Sequence, residues 1–299
     1  MFLSIGMLKQ KYFLADIFIL SAEKQPIKLS WRKIECLPVC FNAGQTIAKT
    51  MQSVLNQTYR PLEYILVDGK STDNTLNIIY ELEPLFHEKG IAVRIVSEKD
   101  KGIFDAMNKG VKLANGRWVN FMNAGDVFYN DKTIDFVFSH EIPMEVKLVY
   151  GDTLRQKSYA VVAAKGNIPE VTPKLMPACH QSMFTDVDEL KSHPFDLSYR
   201  LSADYNFVYN LYKRGEKMLY IPVNISFCEA VYGVSSVNKI AVKKECARIR
   251  GVDHTLTWKI KILGKQVEYG IKQIIEYLIP ASFLKEMKIR NRKRLEHRK

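Results

Sequence analysis

The stretch Arg117-Trp-Val-Asn-Phe-Met-Asn-Ala-Gly-Asp126 contains a mostly apolar run, Trp118 to Met122, that stops at a short polar turn. In an open α/β sheet, ligands bind outside the carboxyl ends of the strands. A strand ending here would hold the carboxylate of Asp126 rigidly against a metal ion or a phosphate-bearing ligand. Because Asn, Gly and Asp favour turns in any protein, the stretch taken alone fits an ordinary strand-to-loop turn better than a binding site.

The residues before this stretch alternate between strand-like and helix-like patterns, and this alternation indicates the fold class. The predicted strands are Ile34–Cys40, Glu63–Val67, Ile91–Val96 and Trp118–Met122; the predicted helices are Thr46–Asn56, the segment after Asp73 to about Lys89, and Ile103–Ala114. A β-α-β-α-β-α-β order predicts an α/β protein with a doubly wound, mostly parallel sheet and right-handed crossovers.

Two of these helices carry more specific expectations. In the second, we expect Tyr80 to face inward together with Leu76 and Ile79. Pro84 should kink that helix or end it early, because proline removes a backbone donor. In the third, we expect Ile103 to lie on the face that packs inward.

The pattern after residue 126 is less regular. It predicts a helix at Thr133–Ser139, a strand at Val146–Tyr150 that ends at Gly151-Asp152, a helix at Leu201–Gly215 and a strand at Lys217–Ile221. Residues 237–299 are predicted to be helical and amphipathic. The proposed division is an unassigned N-terminal extension (residues 1–33), a main domain (34–236) and a basic helical extension (237–299).

Charge is distributed unevenly along the 299 residues, which carry a formal net charge of +12. Residues 237–299 hold 17 Lys and Arg against 6 Asp and Glu, so this segment carries +11 and the rest +1. A basic appendage of this kind favours an anionic partner, either membrane phospholipid or nucleic acid, although a solvated tail has the same composition.

Cysteine content and hydropathy limit the cellular compartments in which the protein is expected. Five cysteines without a CxxC pair argue against a disulfide framework or a zinc site and fit a reducing cytosol. No apolar run approaches the roughly 20 residues of a membrane span. The N-terminal segment also lacks the continuous apolar region of a signal peptide.

The common nucleotide-binding loops are missing from the sequence. It contains neither GxGxxG nor GxxxxGK[ST]. Instead, Asp68, Asp100, Asp126 and Asp152 each follow a predicted strand. Several carboxylates at one sheet edge would repel a bare pyrophosphate. They fit a nucleotide if one contacts the ribose or base and another binds a divalent cation that neutralises the phosphates.

Several blocks, in a fixed order, carry a resemblance to a known family. They are Pro38–Ala43, Thr50–Tyr59, Glu63–Thr75, Ser97–Gly110, Asn123–Asp126, Tyr150–Asp152, His180–Ser182 and Ser202–Tyr205. Together they resemble the family 2 glycosyltransferases with the GT-A fold, of the bacterial polysaccharide type that includes colanic acid glycosyltransferases. The similarity covers roughly residues 34–236.

The resemblance implies roles for individual residues. Those implied to contact the donor nucleotide are Phe41, Asn42, Asp68, Asp100 and Asn123; those implied to face the donor sugar or the acceptor are Asp152, His180 and Gln181. Asp126 is implied to bind Mg²⁺ or Mn²⁺ on the donor diphosphate, and Asp204 to act as the catalytic base. Many relatives have Asp-Ala-Asp-Asp at Asn123–Asp126, so this chain would hold the metal with fewer carboxylates.

The implied activity is inverting, metal-dependent transfer of a sugar from a UDP- or GDP-linked donor to a saccharide or lipid-linked saccharide in surface polysaccharide synthesis. The protein would be cytoplasmic. Residues 255–299 would either lie on the inner face of the plasma membrane or pack their apolar faces on the catalytic domain. One alternative is a nucleotidyltransferase, but the loop Phe41–Gly44 lacks the basic residue such enzymes use. The other is nucleic-acid binding through the basic end. The near-neutral site domain and its carboxylates argue against nucleic acid in the pocket, and none is expected.

Overall fold

The computed structural model describes residues 33–157, 160–167, 169, 172, 174–229, 233–279, 283 and 286. The predictions for residues 1–32 and for most of the segment after residue 279 lie outside these residues. No helix in the described part of the chain is both long enough and apolar enough to cross a membrane.

Strands and helices alternate through the first half of the chain, as predicted. The strands are β1 Ile34–Cys36, β2 Val39–Cys40, β3 Leu62–Asp68, β4 Ala92–Ser97, β5 Trp118–Asn120, β6 Val127–Phe128, β7 Val146–Gln156, β8 Val161–Ala164, β9 Met183–Asp186 and β10 Lys217–Glu229. The helices are α1 Ile47–Leu55, α2 Thr75–Glu88, α3 Ile103–Leu113, α4 Thr133–Phe138, α5 Val187–Ser192, α6 Ala203–Arg214, α7 Val234–Val237, α8 Lys239–Ile249 and α9 Leu256–Leu278.

The described strands form one mixed sheet. Its central path runs β2-β3-β1-β5-β9-β7-β10-β6, with β4 paired to β3 and β8 paired to β7. The strands β1 to β5 pair in parallel, whereas β9 lies antiparallel to both β5 and β7. The direction of winding changes where β1 lies between β3 and β5. In a doubly wound sheet such a switch point opens a crevice at the carboxyl ends of the strands.

Helices cover both faces of the sheet, and β3 shows why. All seven residues of β3 are buried. Tyr64 and Leu66 pack in one apolar cluster with α1, α2 and α4, while Ile65 and Val67 pack in the other with α3 and α6. A strand buried on both faces reads as a continuous apolar run because each face needs its own apolar residues. The predicted α/β class and doubly wound sheet are therefore confirmed.

The early helix end expected at Pro84 and the inward positions expected for Tyr80 and Ile103 were wrong. Pro84 lies inside α2, which continues to Glu88. The last turn is anchored by Phe86, which is fully buried and stacks on Tyr64 at 4.7 Å, so packing outweighs the lost hydrogen bond. Tyr80 is 54% exposed because its neighbour Ile79 takes the inward position. Ile103 lies at the edge of the core, since Phe104 packs inward instead.

Two strands run further than their apolar runs predicted. β7 continues past Tyr150 and β10 past Ile221, because the two pair in parallel as far as Gln156 and Glu229. Gly151 is therefore part of a strand and does not form a turn. A Cβ atom there would lie 2.7 Å from the carbonyl oxygen of Val223, so the close approach of the two strands requires glycine.

A second glycine gives a test of how α3 packs. A Cβ atom at Gly110 would lie 2.6 Å from both terminal carbons of Leu37, which is fully buried. We expect Gly110→Ala to lower the free energy of unfolding by about 1–3 kcal/mol, the usual cost of overpacking a core. Urea denaturation followed by circular dichroism would measure it.

Gly264→Ala is the matched control for Gly110→Ala. Gly264 also lies inside a helix, α9, and a Cβ atom added to it meets nothing within 4 Å. The higher helix propensity of alanine should leave stability unchanged or raise it by up to about 1 kcal/mol. If the Gly110→Ala variant were as stable as the wild type, the close packing of α3 against Leu37 would be contradicted.

Candidate functional site

The turn after β5 is fixed by a buried threonine of α1. The Thr50 hydroxyl accepts a hydrogen bond from the Gly125 N–H at 2.9 Å and donates to the Asp126 carbonyl at 2.8 Å. Gly125 has a φ of +98°, a conformation that glycine adopts without strain. The polar turn predicted at Asn123–Asp126 therefore lies beside the switch point of the sheet, with a defined conformation.

The Asp126 carboxylate is buried and hydrogen-bonded on both oxygens. It is 8% exposed. Its Oδ2 accepts from Gln181 Nε2 at 2.6 Å, and its Oδ1 accepts from the Glu229 N–H at 3.1 Å. Burial raises the pKa of Asp126, and the hydrogen bond from Gln181 and the nearby His180 oppose that rise. The charged form is thus only partly stabilised by the groups around it.

His180 links the turn to the candidate base. Its Nε2 lies 3.0 Å from Asn123 Nδ2, and its Nδ1 lies 3.1 Å from Asp204 Oδ2. The Asn123 amide is oriented by the Val39 N–H, which points at Asn123 Oδ1 from 3.5 Å. The amide nitrogen therefore faces the ring, so Nε2 accepts and the Nδ1–H donates to Asp204.

Asp204 lies in the first turn of α6 at a partly open position. Its second oxygen, Oδ1, accepts from the Tyr205 N–H at 2.8 Å. The side chains of Asp204 and His180 are 21% and 22% exposed. Each carboxylate oxygen therefore has one hydrogen bond from the protein and further lone pairs that an incoming group can reach.

The short 3-10 turn His180–Ser182 brings these groups together. Its position is set by a buried hydroxyl: Ser182 Oγ donates to the Asp152 carbonyl at 2.9 Å and lies 2.6 Å from Ser226 Oγ. Two consecutive side chains of this turn contact two different carboxylates, His180 with Asp204 and Gln181 with Asp126. The structure thus brings together the predicted residues Asn123, Asp126, His180, Gln181 and Asp204.

A second group of predicted residues surrounds the loop after β3. Asp68 is fully buried. Its Oδ2 accepts from the Ser71 N–H at 3.0 Å and from Ser97 Oγ at 2.7 Å, and its Oδ1 accepts from Ser71 Oγ. Asn42 holds the same loop from the other side, since its Oδ1 accepts from the Thr72 N–H at 2.8 Å. Asp68 therefore shapes this loop with both of its oxygens.

Phe41 and Asp100 flank the same loop. A Cβ atom at Gly69 would collide with the Asp100 carboxylate and lie 3.4 Å from the Phe41 ring. Phe41 is 62% exposed, so its ring offers an open aromatic surface beside a carboxylate. Asp100 also accepts from the Gly102 N–H at 2.8 Å. The structure therefore places Phe41, Asn42, Asp68 and Asp100 side by side.

The prediction that Asp152 follows the end of a strand was wrong. It does not end a strand but lies inside β7, because that strand stays paired with β10. Its Oδ1 accepts from the Gly166 N–H at 2.8 Å and from the Tyr220 hydroxyl at 2.7 Å. Burial, with the hydrogen bond and charge of Asp152, raises the pKa of Tyr220 to about 12. The side chain thus secures residue 166 and Tyr220.

Three residues near Asp126 were not predicted. Glu229 provides its backbone N–H, Cys228 places its thiol beside the carboxylate, and Arg155 pairs with Cys228 across the sheet and donates to Cys179 Sγ. All three lie on the extensions of β7 and β10. Only the alternation of polar and apolar residues past Asp152 and Ile221 signalled these extensions.

The donor set around Asp126 decides what kind of metal site is possible. Among the described residues, no group of three or more His, Cys, Asp or Glu side chains could hold a metal ion. Mg²⁺ commonly binds through one or two carboxylates together with substrate phosphates and water. The residues present therefore fit a metal held largely by a bound diphosphate with Asp126 as the one charged protein ligand.

The family model for glycosyl transferase family 2 matches residues 38–140. A PGL/p-HBAD biosynthesis glycosyltransferase from Mycobacterium bovis is 33% identical over 172 residues, which are 56% of this chain and 64% of that protein. The chain thus spans slightly less than two thirds of the length of this relative. The Escherichia coli UDP-Glc:alpha-D-GlcNAc-diphosphoundecaprenol beta-1,3-glucosyltransferase WfaP is 24% identical over 251 residues, 82% of this chain and 92% of that protein.

Among solved structures, the fold resembles the mannosyltransferase PcManGT of Pyrobaculum calidifontis, solved with GDP-Man and Mn²⁺. The TM-score is 0.57 at 15% identity, and the likeness covers 76% of this chain and 66% of that chain. At this identity the likeness concerns the fold. Family model, relatives and fold agree: residues 38–140 match glycosyltransferase family 2, and the fold is that of the GT-A glycosyltransferases.

Proposed function

We propose that this protein transfers a sugar from a nucleoside-diphosphate sugar to a hydroxyl of a saccharide acceptor, with inversion at the anomeric carbon. One observation carries the proposal: the consecutive residues His180 and Gln181 hydrogen-bond the carboxylates of Asp204 and Asp126, respectively. One carboxylate is partly open and the other is buried at the sheet's switch point. This pairing suits a base on one side of the donor sugar and a phosphate-binding group on the other.

Asp204 is the proposed general base. Its carboxylate would take the proton of the acceptor hydroxyl as the oxygen attacks the anomeric carbon. The bond from that carbon to the phosphate oxygen breaks, and the nucleoside diphosphate leaves. The hydrogen bonds from His180 and from the Tyr205 N–H orient the carboxylate without occupying all its lone pairs. A base fixed within hydrogen-bond reach typically contributes about 10²–10⁴-fold in rate.

Asp126 is the proposed protein ligand of Mg²⁺ or Mn²⁺. When bound, the metal would stabilise the charge that develops on the leaving diphosphate, acting as a Lewis acid. The raised pKa of Asp126 reflects a buried carboxylate that a cation would favour in its charged form. The Mn²⁺ in the mannosyltransferase structure supports this proposal.

The donor nucleotide is proposed to occupy the loop after β3. The exposed ring of Phe41 can stack on a base, and Asp100 lies beside it. Asn42 and Asp68 hold the loop in shape. Arg155, which lies opposite Cys228 in the sheet, offers a positive charge for the diphosphate. WfaP is named for UDP-Glc, and the mannosyltransferase structure contains GDP-Man. A UDP- or GDP-linked sugar is therefore proposed here.

The acceptor is proposed to be a lipid-linked saccharide in surface polysaccharide synthesis at the cytoplasmic face of the membrane. WfaP acts on a diphosphoundecaprenol-linked sugar by its name, and it aligns with most of this chain. Asp152, His180 and Gln181 would line the donor sugar or the acceptor.

The division of the chain into domains at residues 33 and 236 also stays a proposal. Neither nucleotidyl transfer nor nucleic-acid binding gains support from the site.

Asp204→Asn tests the base. We expect this variant to lower kcat about 10²–10⁴-fold while donor binding stays within about twofold, because the amide keeps the shape and loses the proton acceptor. Nucleotide release measures the rate, and calorimetry with the nucleoside diphosphate measures binding. Asp188→Asn is a matched control, since Asp188 is an exposed first-turn aspartate of α5. Retained turnover in the Asp204 variant would overturn the assignment.

Asp126→Ala tests the metal. In the wild type, UDP or GDP should raise the melting temperature only when Mn²⁺ is present, whereas UTP and single-stranded RNA should have little effect. Asp126→Ala should remove the metal-dependent rise in melting temperature. It should also lower activity far more than Asn123→Ala does, because Asn123 carries no charge. Equal stabilisation of the wild type and the Asp126 variant by nucleotide plus Mn²⁺ would contradict this role.

The hydrogen bonds of His180 predict its tautomer. We expect ¹⁵N NMR of the labelled protein to show His180 protonated on Nδ1 and unprotonated on Nε2 at pH 8. His254, whose side chain is 76% exposed, should show the average of the two tautomers in the same spectrum. In Asn123→Ala, which removes the partner of Nε2, the His180 signals should move towards that average. A wild-type His180 protonated on Nε2 would refute the assigned orientation of the Asn123 amide.

A further inference from the structure

Helix α9 has two apolar faces on nearly opposite sides. The inner one carries the half-buried side chains of Trp258, Ile262 and Tyr269, and the first two line a cleft together with residues of α8. The other is a straight stripe of aliphatic residues with exposed fractions of 53–73%, and we name it the outer stripe: Leu256, Ile260, Leu263, Val267, Ile271, Ile274 and Leu278. Their spacing of three or four residues places all seven on one side of the helix. An exposed apolar stripe of this length marks an interaction surface.

A cleft between α8 and α9 lies beside the outer stripe. Its volume is about 340 Å³, and its lining includes Lys244, Arg248 and Lys259 as well as the indole of Trp258. No carboxylate among the described residues lies within salt-bridge distance of Lys244 or Lys259. Lys259 follows Trp258 on the helix and lies between the cleft and the stripe. Positive charge therefore borders the apolar surface.

The two carboxylates in the cleft compensate this charge only in part. Glu245 is committed to the backbone, since its two oxygens accept from the Arg200 and Leu201 N–H groups at 2.9 Å each. Asp253 has a side chain that is 47% exposed and lies 3.9 Å from His254. Three cations against these two acids, in a segment whose net charge is +11, favour an anionic ligand in the cleft.

We propose that α8 and α9 form a docking surface for an anionic phospholipid bilayer, with the outer stripe inserted at the level of the acyl chains and a lipid phosphate in the cleft. Only a surface that is both apolar and anionic matches both features. A second copy of the chain would cover the stripe but bring two basic segments together. Nucleic acid would neutralise the cleft but leave the stripe in water. The inference deepens the proposed lipid-linked acceptor but does not depend on it.

Sedimentation of the full-length protein with vesicles tests the proposal. The wild type should bind phosphatidylglycerol-containing vesicles at least about tenfold more tightly than pure phosphatidylcholine vesicles. A triple variant of the outer stripe, Ile260→Gln with Leu263→Gln and Val267→Gln, should lose at least about 100-fold in partition coefficient, because each aliphatic side chain contributes strongly when buried. A matched control replaces equally exposed apolar residues elsewhere by glutamine: Tyr80, Phe136 and Met144. It should bind as the wild type does.

A second pair of variants tests the cleft separately from general charge. Lys244→Gln with Lys259→Gln should weaken binding to the anionic vesicles about 30-fold, from roughly 1 kcal/mol for each lysine near the surface. Lys243→Gln with Lys261→Gln removes the same charge from the same two helices outside the cleft. It should cost less than about fivefold. Equal losses in the two pairs would overturn the phosphate site in the cleft.

Three results would overturn the docking surface itself. They are vesicle binding by the stripe variant equal to the wild type, a lipid-free wild-type dimer that the stripe variant abolishes in analytical ultracentrifugation, and binding to RNA but not to vesicles. Sugar transfer is measured separately, as nucleotide release with a soluble acceptor and no vesicles, and should be unchanged in these variants. Vesicle binding without any transfer would count against the proposed function and leave the docking surface standing.

Discussion

The hydrogen bonds of His180 and Gln181 are the constraint on which the site depends. In a 3-10 turn, consecutive side chains point about 120° apart because there are three residues per turn. Here one side chain contacts Asp204 and the next contacts Asp126, so a single peptide unit fixes the relation between the two carboxylates. The turn is itself held from below, because Ser182 is fully buried and bonded to β7 and β10. The positions of both carboxylates are therefore fixed relative to the sheet, although Asp204 lies on a helix.

The two carboxylates lie in different environments, and this difference gives them different chemistry. Asp126 is buried, so its charged form is disfavoured except where a positive group or hydrogen-bond donors approach it. Asp204 is partly open and has one hydrogen bond on each oxygen. A buried carboxylate suits a ligand for a cation, whereas an open and oriented one suits proton transfer. Asn123 contributes to the difference, since an amide can donate to His180 where a carboxylate could only accept.

The sequence predicted the first half of the sheet and the positions of Asp68 and Asp126 because those features are local. Strand β3 contains the uninterrupted apolar run Tyr64–Val67, and Asp68 ends the strand directly after that run. Asp126 stands at the end of such a run as well. Asp204, His180 and Gln181 came only from the family resemblance, since a helix and a 3-10 turn far along the chain carry no signal of meeting at one place. Their contacts depend on the antiparallel β9, which local periodicity does not show.

What the sequence could not predict is non-local. The apolar runs of β7 and β10 end early, so both strands were predicted too short, and Asp152, Arg155 and Glu229 were misplaced or missed. The strands continue because each supplies the other's backbone hydrogen bonds. Buried hydroxyls at Thr153 and Ser226 complete the contact through Ser182. Polar residues that satisfy one another in this way look like the end of a strand until their partners are known.

The basic extension contacts the segment that precedes Asp204, the proposed base. Glu245 of α8 accepts from the two N–H groups of Arg200 and Leu201, and Cys246 lies against Ser202. These residues lead directly into the first turn of α6, which carries Asp204. A force that moves α8, such as insertion of α9 into a bilayer, would therefore act on the loop before the base and not on Asp126, which is fixed by α1 and β10. The side of the site that carries Asp126, the proposed metal ligand, would stay attached to the sheet, while the side that carries Asp204 would follow the membrane surface.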